Sequence, residues 1–252
     1  MPGEEVATHA LITAAIHALE KLRRVRFWRL KIIRPNTEIR VSFSALFRIL
    51  DGGHYVLVRN LHRPELFGPF GGVFKFYEGG RSRLDELLFR PQEVGYTDDM
   101  RNDLRGFLPR KNLSKMLKWF DQHCDRESAA ECLSRELREE LKEIRLSNLH
   151  PPRHLEVKKV RRIEEGPEEV PARSYTQFRI FDVYDISFQD AEWLSFFKEL
   201  KKISKSSSDL ILADSSDIVL GRCNDGRVIG NHCCYLIGNK RTRPEAPHFA
   251  KA

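Results

Sequence analysis

Three glutamates are spaced so that a helix would bring their carboxylates together on one face. In the segment ESAAECLSRELREELKEI, residues 127–144, Glu136, Glu139 and Glu140 stand at i, i+3 and i+4, the spacing of neighbours on a helix surface. Three uncompensated carboxylates within about one turn repel one another. A hard divalent cation, which takes oxygen ligands, relieves that repulsion. The spacing therefore predicts a Mg²⁺ or Mn²⁺ site on this helix.

The same segment also has the pattern of an ordinary charged helix. Apolar residues recur three and four apart and predict a stripe that faces the core, and Arg135 is spaced to pair with glutamates one turn away. Glu143 adds negative charge at the C-terminal end, where the helix dipole disfavours it. We interpret Arg135 as the residue that orients one of the carboxylates. The apolar stripe consists of Leu133, Leu137, Leu141 and Ile144.

A glycine pair precedes this helix in the chain. The stretch FGPFGGVFKFYE, residues 67–78, places Gly71 and Gly72 at a predicted bend before a short strand. We expect this bend to lie at the rim of a pocket that accommodates phosphate. Arg59, Arg63 and Lys75 flank this predicted cleft and are candidates to contact phosphate, although basic residues near any surface loop would have the same pattern.

The elements that must position these residues are predicted by hydropathy patterns. In EIRVSFSALFRIL, residues 38–50, apolar and polar residues alternate with a period of two, which predicts a strand with one buried face. The turn DGG and the returning stretch HYVLVRN predict a hairpin. Further along the chain the patterns predict a polar, charged segment over 79–125, two strands flanking the loop GPEEVPA, a helix from about residue 190 and a closing hairpin around Asn224-Asp225-Gly226.

The sum of these elements is a mixed α/β pattern, in which strands outnumber helices. The first 35 residues predict a helix followed by a basic extended segment, the main domain covers 36–238, and the composition of 239–252 predicts a disordered tail. The aromatic residues of RFWRLK, residues 26–31, are expected to pack in the core.

Composition limits the class of protein. The 252 residues are 41% hydrophobic and 31% charged, as in soluble globular proteins, and no apolar run approaches the roughly 20 residues of a membrane helix. The acidic start MPGEEVATH is unlike a secretory signal. We therefore expect a soluble, cytoplasmic protein without a membrane segment. The net charge of +7 favours anionic partners such as nucleotides.

The five cysteines indicate reduced thiols. Their number is odd and none forms a C-x-x-C pair, which favours a cytosolic chain without disulfides. The stretch CNDGRVIGNHCC brings Cys223, His232, Cys233 and Cys234 near one another in sequence. Adjacent cysteines on a strand point to opposite faces, so a zinc site is disfavoured there.

The acidic segment and the glycine pair together resemble the Nudix box, G-x5-E-x7-R-E-U-x-E-E-x-G-U, where U is a bulky aliphatic residue. The second half matches through Glu127, Arg135, Glu136, Leu137, Glu139 and Glu140, and the first half through Gly72 and Glu78. About fifty positions separate Glu78 from Glu127, so we infer an insertion of about 79–125 between the two halves. The closing G-U is replaced by Lys142 and Glu143, and the first glutamate of the box is either Glu78 or Glu127.

This resemblance implies a Nudix-type mixed β-sheet sandwiched between helices, and a metal-dependent attack of water on a phosphoanhydride in a nucleotide derivative. Carried over by position, Glu136, Glu139 and Glu140 would bind Mg²⁺ or Mn²⁺ together with the carbonyl of Gly71. Arg135, together with Glu127, would orient a carboxylate. A further glutamate base would come from Glu164, Glu165, Glu168 or Glu169, although these also have the pattern of plain loop charges.

The whole chain, rather than the box alone, looks similar to the SMODS-associated NUDIX domains, which accompany cGAS-like nucleotidyltransferases in bacterial antiphage (CBASS) signalling. The similarity is carried by the interrupted box, the stretch FGPFGGVFKFY and the C-terminal DLILADSSDIVLGRCNDGRVIGNHCCYLI. Members often carry N-terminal transmembrane helices, and we expect none here. The resemblance implies a nucleotide ligand, and one candidate is a cyclic nucleotide made by such a nucleotidyltransferase. A homodimer is a possible assembly of the chain.

Three functions remain open at this point. The clustered acids favour a pyrophosphohydrolase, whereas the insertion and the altered end of the box favour a sensor that binds a cyclic oligonucleotide without hydrolysing it. The positive charge and the RFWRLK aromatics favour an RNA-binding or decapping protein, but we do not expect a nucleic-acid ligand because those aromatics are expected in the core.

Overall fold

The computed structural model describes residues 36–61, 63–92, 102–170, 173, 175–186 and 191–242. The predicted N-terminal helix and basic segment, including the RFWRLK aromatics, lie outside these residues, as does the tail beyond residue 242. The described strands are β1 (Glu38–Phe47), β2 (Leu50–Asp51), β3 (His54–Asn60), β4 (Arg63–Gly68), β5 (Gly71–Val73), β6 (Arg90–Pro91), β7 (Arg105–Pro109), β8 (Val157–Glu169), β9 (Thr176–Ile186), β10 (Leu210–Ala213) and β11 (Val228–Ile229).

Six α-helices occur within the described residues, and none of them is long and apolar enough to cross a membrane. Two short 3-10 turns, Arg110–Asn112 and Asn231–Cys233, precede helices. The α-helices are α1 (Glu78–Glu86), α2 (Leu113–Asp121), α3 (Ala129–Glu143), α4 (Ala191–Ser204), α5 (Ser215–Leu220) and α6 (Cys234–Ile237).

Strand β1 is the centre of a mixed sheet. It pairs in parallel with β9 along one edge, and antiparallel with β5 and β7 along successive parts of the other edge. Strand β8 extends the sheet beyond β9, and β6 extends it beyond β7. A second sheet runs in the order β10-β3-β4-β11, with β2 paired to β3. The predicted mixed α/β class is confirmed.

The alternation of β1 decides what lies on each face of the central sheet. Its odd-numbered residues from Ile39 to Phe47 are buried in a core with the apolar faces of α2, α3 and α4. Leu46 faces the other way, into a second core with the second sheet, α5 and α6. Arg40, Ser42 and Ser44 share that second face, since side chains alternate along a strand. One half of this face is therefore apolar and covered, and the other half is polar.

The predicted hairpin between β1 and the stretch HYVLVRN forms differently. The tight turn at Gly52 and Gly53, both at positive φ, joins β3 to the two-residue strand β2 and not to the long β1. Beyond Phe47 the chain leaves the central sheet, and Arg48 pairs with Asp185 at the end of β9 (2.6 Å). The period of two correctly predicts β1 but carries no information about which sheet its successor joins.

The segment 79–125 supplies much of the core. Helix α1, strands β6 and β7, and helix α2 all come from its described part, and β7 pairs along β1. Its apolar side chains enter the same core as the leucines of α3. They include Leu84, Leu87, Phe89, Leu104, Leu108, Met116, Trp119 and Phe120.

The C-terminal region differs from the predicted closing hairpin. A tight turn does join Cys223 to Arg227, but helix α5 precedes it and α6 follows the short β11. Asp214 caps α5 through a capping box with Asp217, a helix-start signal that overrides the turn pattern. Cys233 and Cys234 contact different backbone carbonyls, those of Phe67 and Ile218. The predicted loop GPEEVPA is shorter than expected, because β8 continues to Glu169.

Candidate functional site

Helix α3 is fixed at its start by local sequence and along its length by the core. Ser128 accepts a hydrogen bond from the Glu131 backbone N–H (3.2 Å), and the Glu131 carboxylate accepts one from the Ser128 N–H (2.7 Å), which completes a capping box. Leu133, Leu137 and Leu141 are buried against the sheet. The helix predicted over about 127–144 is confirmed, and its apolar stripe determines which way its glutamates point.

Glu136 lies directly on the glycine pair. A β-carbon placed on Gly72 would come within 2.0 Å of Glu136 Cδ, so only glycine leaves room for this carboxylate. Burial raises the pKa of Glu136, with smaller upward contributions from Glu139 and Asp103, while Arg135 opposes the rise. The carboxylate is therefore held in a partly desolvated position beside backbone.

Glu140 contacts the other glycine of the pair. Its Oε2 accepts a hydrogen bond from the Gly71 N–H at 3.2 Å. Gly71 has a φ of 135°, and a β-carbon there would meet the carbonyl oxygen of Ala45 at 2.2 Å, so the tight bend requires glycine. Burial, followed by the nearby charge of Glu136, raises the pKa of Glu140 well above its ordinary value, although the Gly71 hydrogen bond opposes this.

Arg135 joins the acidic residues into one network. Its guanidinium donates to both oxygens of Glu127 (2.7 and 2.9 Å), and its Nη1 donates to Glu136 (2.7 Å) and Glu139 (3.2 Å). Its Nη2 also donates to the carbonyl of Val73 at 2.9 Å. Burial alone would lower the pKa of Arg135, but the hydrogen bonds to Glu127 and the charge of Glu136 outweigh burial and raise it. Arg135 is therefore a permanent cation that positions three carboxylates.

The structure also distinguishes the two candidates for the first glutamate of the motif. Glu127 is buried, and besides bonding Arg135 it accepts a hydrogen bond from the Lys75 N–H (2.9 Å). Its own N–H donates to the Lys75 carbonyl at 2.9 Å, which ties the start of α3 to the strand edge. Glu78 is exposed at the start of α1 and pairs with Arg81. Glu127, and not Glu78, is therefore part of the acidic network that Arg135 forms with Glu136 and Glu139.

Asp103 is a site residue that the sequence pattern did not reveal. It is buried, it pairs with Lys75 through an isolated β-bridge, and its carboxylate accepts a hydrogen bond from Arg105 at 2.8 Å. Burial raises the pKa of Asp103, opposed by Arg105, Lys75 and Arg135. Because its partners on α3 are about thirty positions away, no local spacing marked it within the charged segment.

The predicted basic residues are placed in different surroundings. Arg59 pairs with Asp209 (3.2 Å) and donates to the carbonyl of Ser208, and Arg63 pairs with Glu65 (3.3 Å). Both belong to the second sheet, and no contact within the described residues joins them to the acidic network. Lys75 is close to that network, through its backbone bonds to Glu127 and its bridge to Asp103.

The donor set fits a hard cation by its chemistry. It consists of carboxylates beside a glycine backbone, and two of them, Glu136 and Glu140, have raised pKa values because burial and mutual repulsion disfavour their charge. No three acidic, histidine or cysteine side chains in the described part of the chain are already gathered around one point. The carboxylates of Glu136 and Glu139 both accept hydrogen bonds from Arg135 Nη1. To share an ion with Glu140, these two side chains would have to release Arg135.

Comparison with known proteins identifies the family of most of the chain. A family model described as the SMODS-associated NUDIX domain matches residues 38–237, a span that runs from the first residue of β1 to the last residue of α6. No curated protein matches the chain.

Proposed function

This chain belongs to the SMODS-associated NUDIX domain family, and from that membership and the acidic network of α3 we propose a divalent-metal-dependent hydrolase. Its substrate class is a nucleotide derivative that contains a phosphoanhydride. The observation that carries the proposal is the position of Glu136 and Glu140, which lie directly against Gly72 and Gly71. Carboxylates beside backbone carbonyls are the hard oxygen donors that a divalent cation takes.

In the proposed site Glu136, Glu139 and Glu140, with the carbonyl of Gly71, hold Mg²⁺ or Mn²⁺. The ion, when bound, neutralises charge on phosphoryl oxygens and lowers the pKa of a coordinated water. Arg135 is a positioning residue, since it bonds Glu136 and Glu139 directly. Glu127 in turn holds Arg135 through two hydrogen bonds, and Lys75 fixes Glu127 through its backbone N–H.

The biological setting that we propose follows the family. SMODS-associated proteins act with nucleotidyltransferases in antiphage signalling, so the ligand is a nucleotide metabolite or a cyclic nucleotide messenger in the cytoplasm. The net charge of +7 supports an anionic ligand.

A turnover assay tests the hydrolase. The protein is incubated with Mg²⁺ or Mn²⁺ and a panel of ADP-ribose, NAD, dinucleoside polyphosphates and cyclic oligonucleotides, and the products are separated. Replacing Glu139 and Glu140 together by glutamine is expected to reduce turnover by more than about a hundredfold, because loss of outer-shell partners alone costs 10–100-fold. Glu156→Gln, an exposed glutamate before β8, is the matched control and is expected to keep full activity. Absence of turnover for every nucleotide would contradict the proposal.

A non-hydrolytic sensor is the second candidate. The sensor is favoured by the ion pairs of Arg135 with three carboxylates. Within the described residues, no group of acidic, histidine or cysteine side chains is already arranged to bind an ion. In that case a cyclic oligonucleotide would bind saturably, without product, to both the unmodified protein and the Glu139→Gln, Glu140→Gln variant. Calorimetry with each member of the same panel distinguishes the two functions.

A further inference from the structure

Arg40 carries a charge that no carboxylate balances in the described part of the chain. It lies on the polar face of β1, and its guanidinium donates to two neutral amide oxygens, those of Gln92 (2.7 Å from Nε) and Gln177 (2.8 Å from Nη1). Its Nη2 has no hydrogen-bond partner among the described residues. Half-buried arginines are normally paired, because an isolated charge is costly to desolvate.

Several half-buried arginines in the described chain follow that rule, although the buried Arg126 donates instead to the backbone carbonyls of Phe120 and Glu127. Arg48 pairs with Asp185, Arg135 with Glu127, and Arg162 with Asp182. Arg40 differs from both kinds, because its guanidinium donates to two side-chain amides and its Nη2 has no partner in the described chain. Glutamines in place of acids hold the guanidinium in a fixed orientation and leave its charge available to a ligand.

The neighbours of Arg40 increase the local positive charge. Arg105 on β7 and Arg179 on β9 both stand opposite Ser42, one step along the same face. Their charges are balanced by Asp103 (2.8 Å) and by Glu165 (2.7 Å) respectively. Burial lowers the pKa of Arg40 to about 10, and Arg105 and Arg179 contribute to that fall. An anion bound beside Arg40 would relieve this repulsion.

This position is connected to the acidic network through β7. Arg105 on the polar face donates a hydrogen bond to Asp103. The negative charge of Asp103 in turn contributes to the raised pKa of Glu136. On the other side of Arg40 lies an aromatic pair. Phe107 stands opposite Arg40 in the β1–β7 register, and it packs edge-to-face on Tyr175 with ring centroids 5.3 Å apart. A phosphate bound at Arg40 would therefore have the aromatic ring of Phe107 beside it on the same face of the sheet.

We propose that Arg40 binds a phosphate group of the nucleotide ligand, in a subsite on the polar face of the central sheet beside Phe107 and Tyr175. The subsite rests on the proposed function in that the ligand is a nucleotide, but it requires neither metal nor hydrolysis. The guanidinium fork, held by Gln92 and Gln177, presents Nη2 and the second hydrogen of Nη1 to phosphate oxygens.

Binding of ADP and inorganic pyrophosphate, measured by calorimetry in excess EDTA, tests this subsite separately from turnover. Gln177→Glu is the decisive variant, because it keeps Arg40 and places a carboxylate 2.8 Å from its Nη1. We expect this variant to bind ADP about tenfold or more weakly, the scale of a hydrogen bond to a charged group, without a fall in melting temperature. Arg40→Ala is expected to weaken ADP binding at least as much, and Arg40→Lys less, since lysine keeps the charge but not the fork.

The matched control is another basic site. Arg138, with Lys142, His150 and Arg153, lines a separate cavity of about 490 Å³ beside α3. Arg138→Ala is expected to bind ADP like the unmodified protein. The proposal is overturned if a folded Gln177→Glu variant keeps full ADP affinity, if Arg138→Ala is the variant that loses it, or if neither probe binds the unmodified protein. Binding that still depends on Arg40 in a protein without turnover would refute the hydrolase and retain this subsite.

Discussion

The carboxylate of Glu136 lies where the side chain of any residue other than glycine at position 72 would be. The ideal β-carbon position of Gly72 is 2.0 Å from Glu136 Cδ and 2.1 Å from Oε1. The two residues are far apart in sequence, and their contact joins the glycine bend to the acidic helix. It places a partly desolvated carboxylate beside the backbone that is proposed to share its metal ion.

Gly72→Ala therefore tests the site without removing any charged group. We expect the new methyl group to displace the Glu136 carboxylate and to weaken Mn²⁺ binding by about tenfold or more, the scale seen when the support of a metal ligand is lost. Calorimetric titration with Mn²⁺ measures this effect. Gly68→Ala is the matched control, since a β-carbon at Gly68 meets nothing within 4 Å. Unchanged Mn²⁺ affinity in Gly72→Ala would show that Glu136 is not part of the metal site.

Removal of Glu127 is expected to destabilise the fold far more than removal of Glu78. Glu127→Ala removes the bidentate partner of Arg135 and the acceptor of the Lys75 N–H, and the loss of a hydrogen bond to a charged group costs about 1.5–3 kcal/mol. Glu78 is exposed, so Glu78→Ala is expected to change the free energy of unfolding by less than about 0.5 kcal/mol. Urea unfolding of both variants measures the difference. Equal effects would contradict the assignment of Glu127 as the first glutamate of the motif.

The raised pKa values of Glu136 and Glu140 predict a specific dependence of stability on pH. Protons bind these groups more tightly in the folded protein than in the unfolded chain, where glutamate titrates near about 4.3. Their contribution to the stability of the metal-free protein is therefore least favourable above the folded pKa values, and it improves as the pH falls toward the unfolded value.

Glu140→Gln isolates this contribution. In EDTA at about pH 8 we expect the variant to be more stable than the unmodified protein by about 1 kcal/mol or more, given that one pKa unit corresponds to about 1.4 kcal/mol. The difference should shrink as the pH is lowered. Mn²⁺ should stabilise the unmodified protein more than the variant at pH 8. Urea unfolding across pH measures both effects, and a variant less stable than the unmodified protein in EDTA would contradict the prediction.

The segment 79–125 is expected to be indispensable to the fold. Leu108 on β7 is completely buried, and Leu108→Ala is expected to lower the free energy of unfolding by about 3 kcal/mol, as for other large-to-small core substitutions. Leu88 lies in the same segment and is 55% exposed, so Leu88→Ala serves as the control, with an expected change below about 0.5 kcal/mol. Urea denaturation measures both. A small effect at Leu108 would mean that the segment only covers the domain.

Local patterns correctly predicted the elements whose signals are repeated within a few residues. Helix α3 was predicted from leucines at helical spacing, and helix α4 from Trp193, Phe196, Phe197 and Leu200 on one face. All of these α4 residues are buried except Phe197, which is partly buried. The predicted C-terminal hairpin is confined to one antiparallel bridge between Arg222 and Val228, because the capping box of Asp214 and Asp217 starts a helix in place of the preceding strand. The turn itself forms, but the residues before it are a helix and not a strand.

The sequence by itself determined that three carboxylates share one face of α3 and that β1 has one apolar face, because both follow from backbone geometry over a few residues. Only the tertiary structure decided that Glu127 and not Glu78 meets Arg135, that Asp103 joins the network, and that Arg40 lies between two glutamines instead of acids. These contacts join residues distant in the chain. They depend on which strands pair and in what register, which no local spacing of residue types encodes.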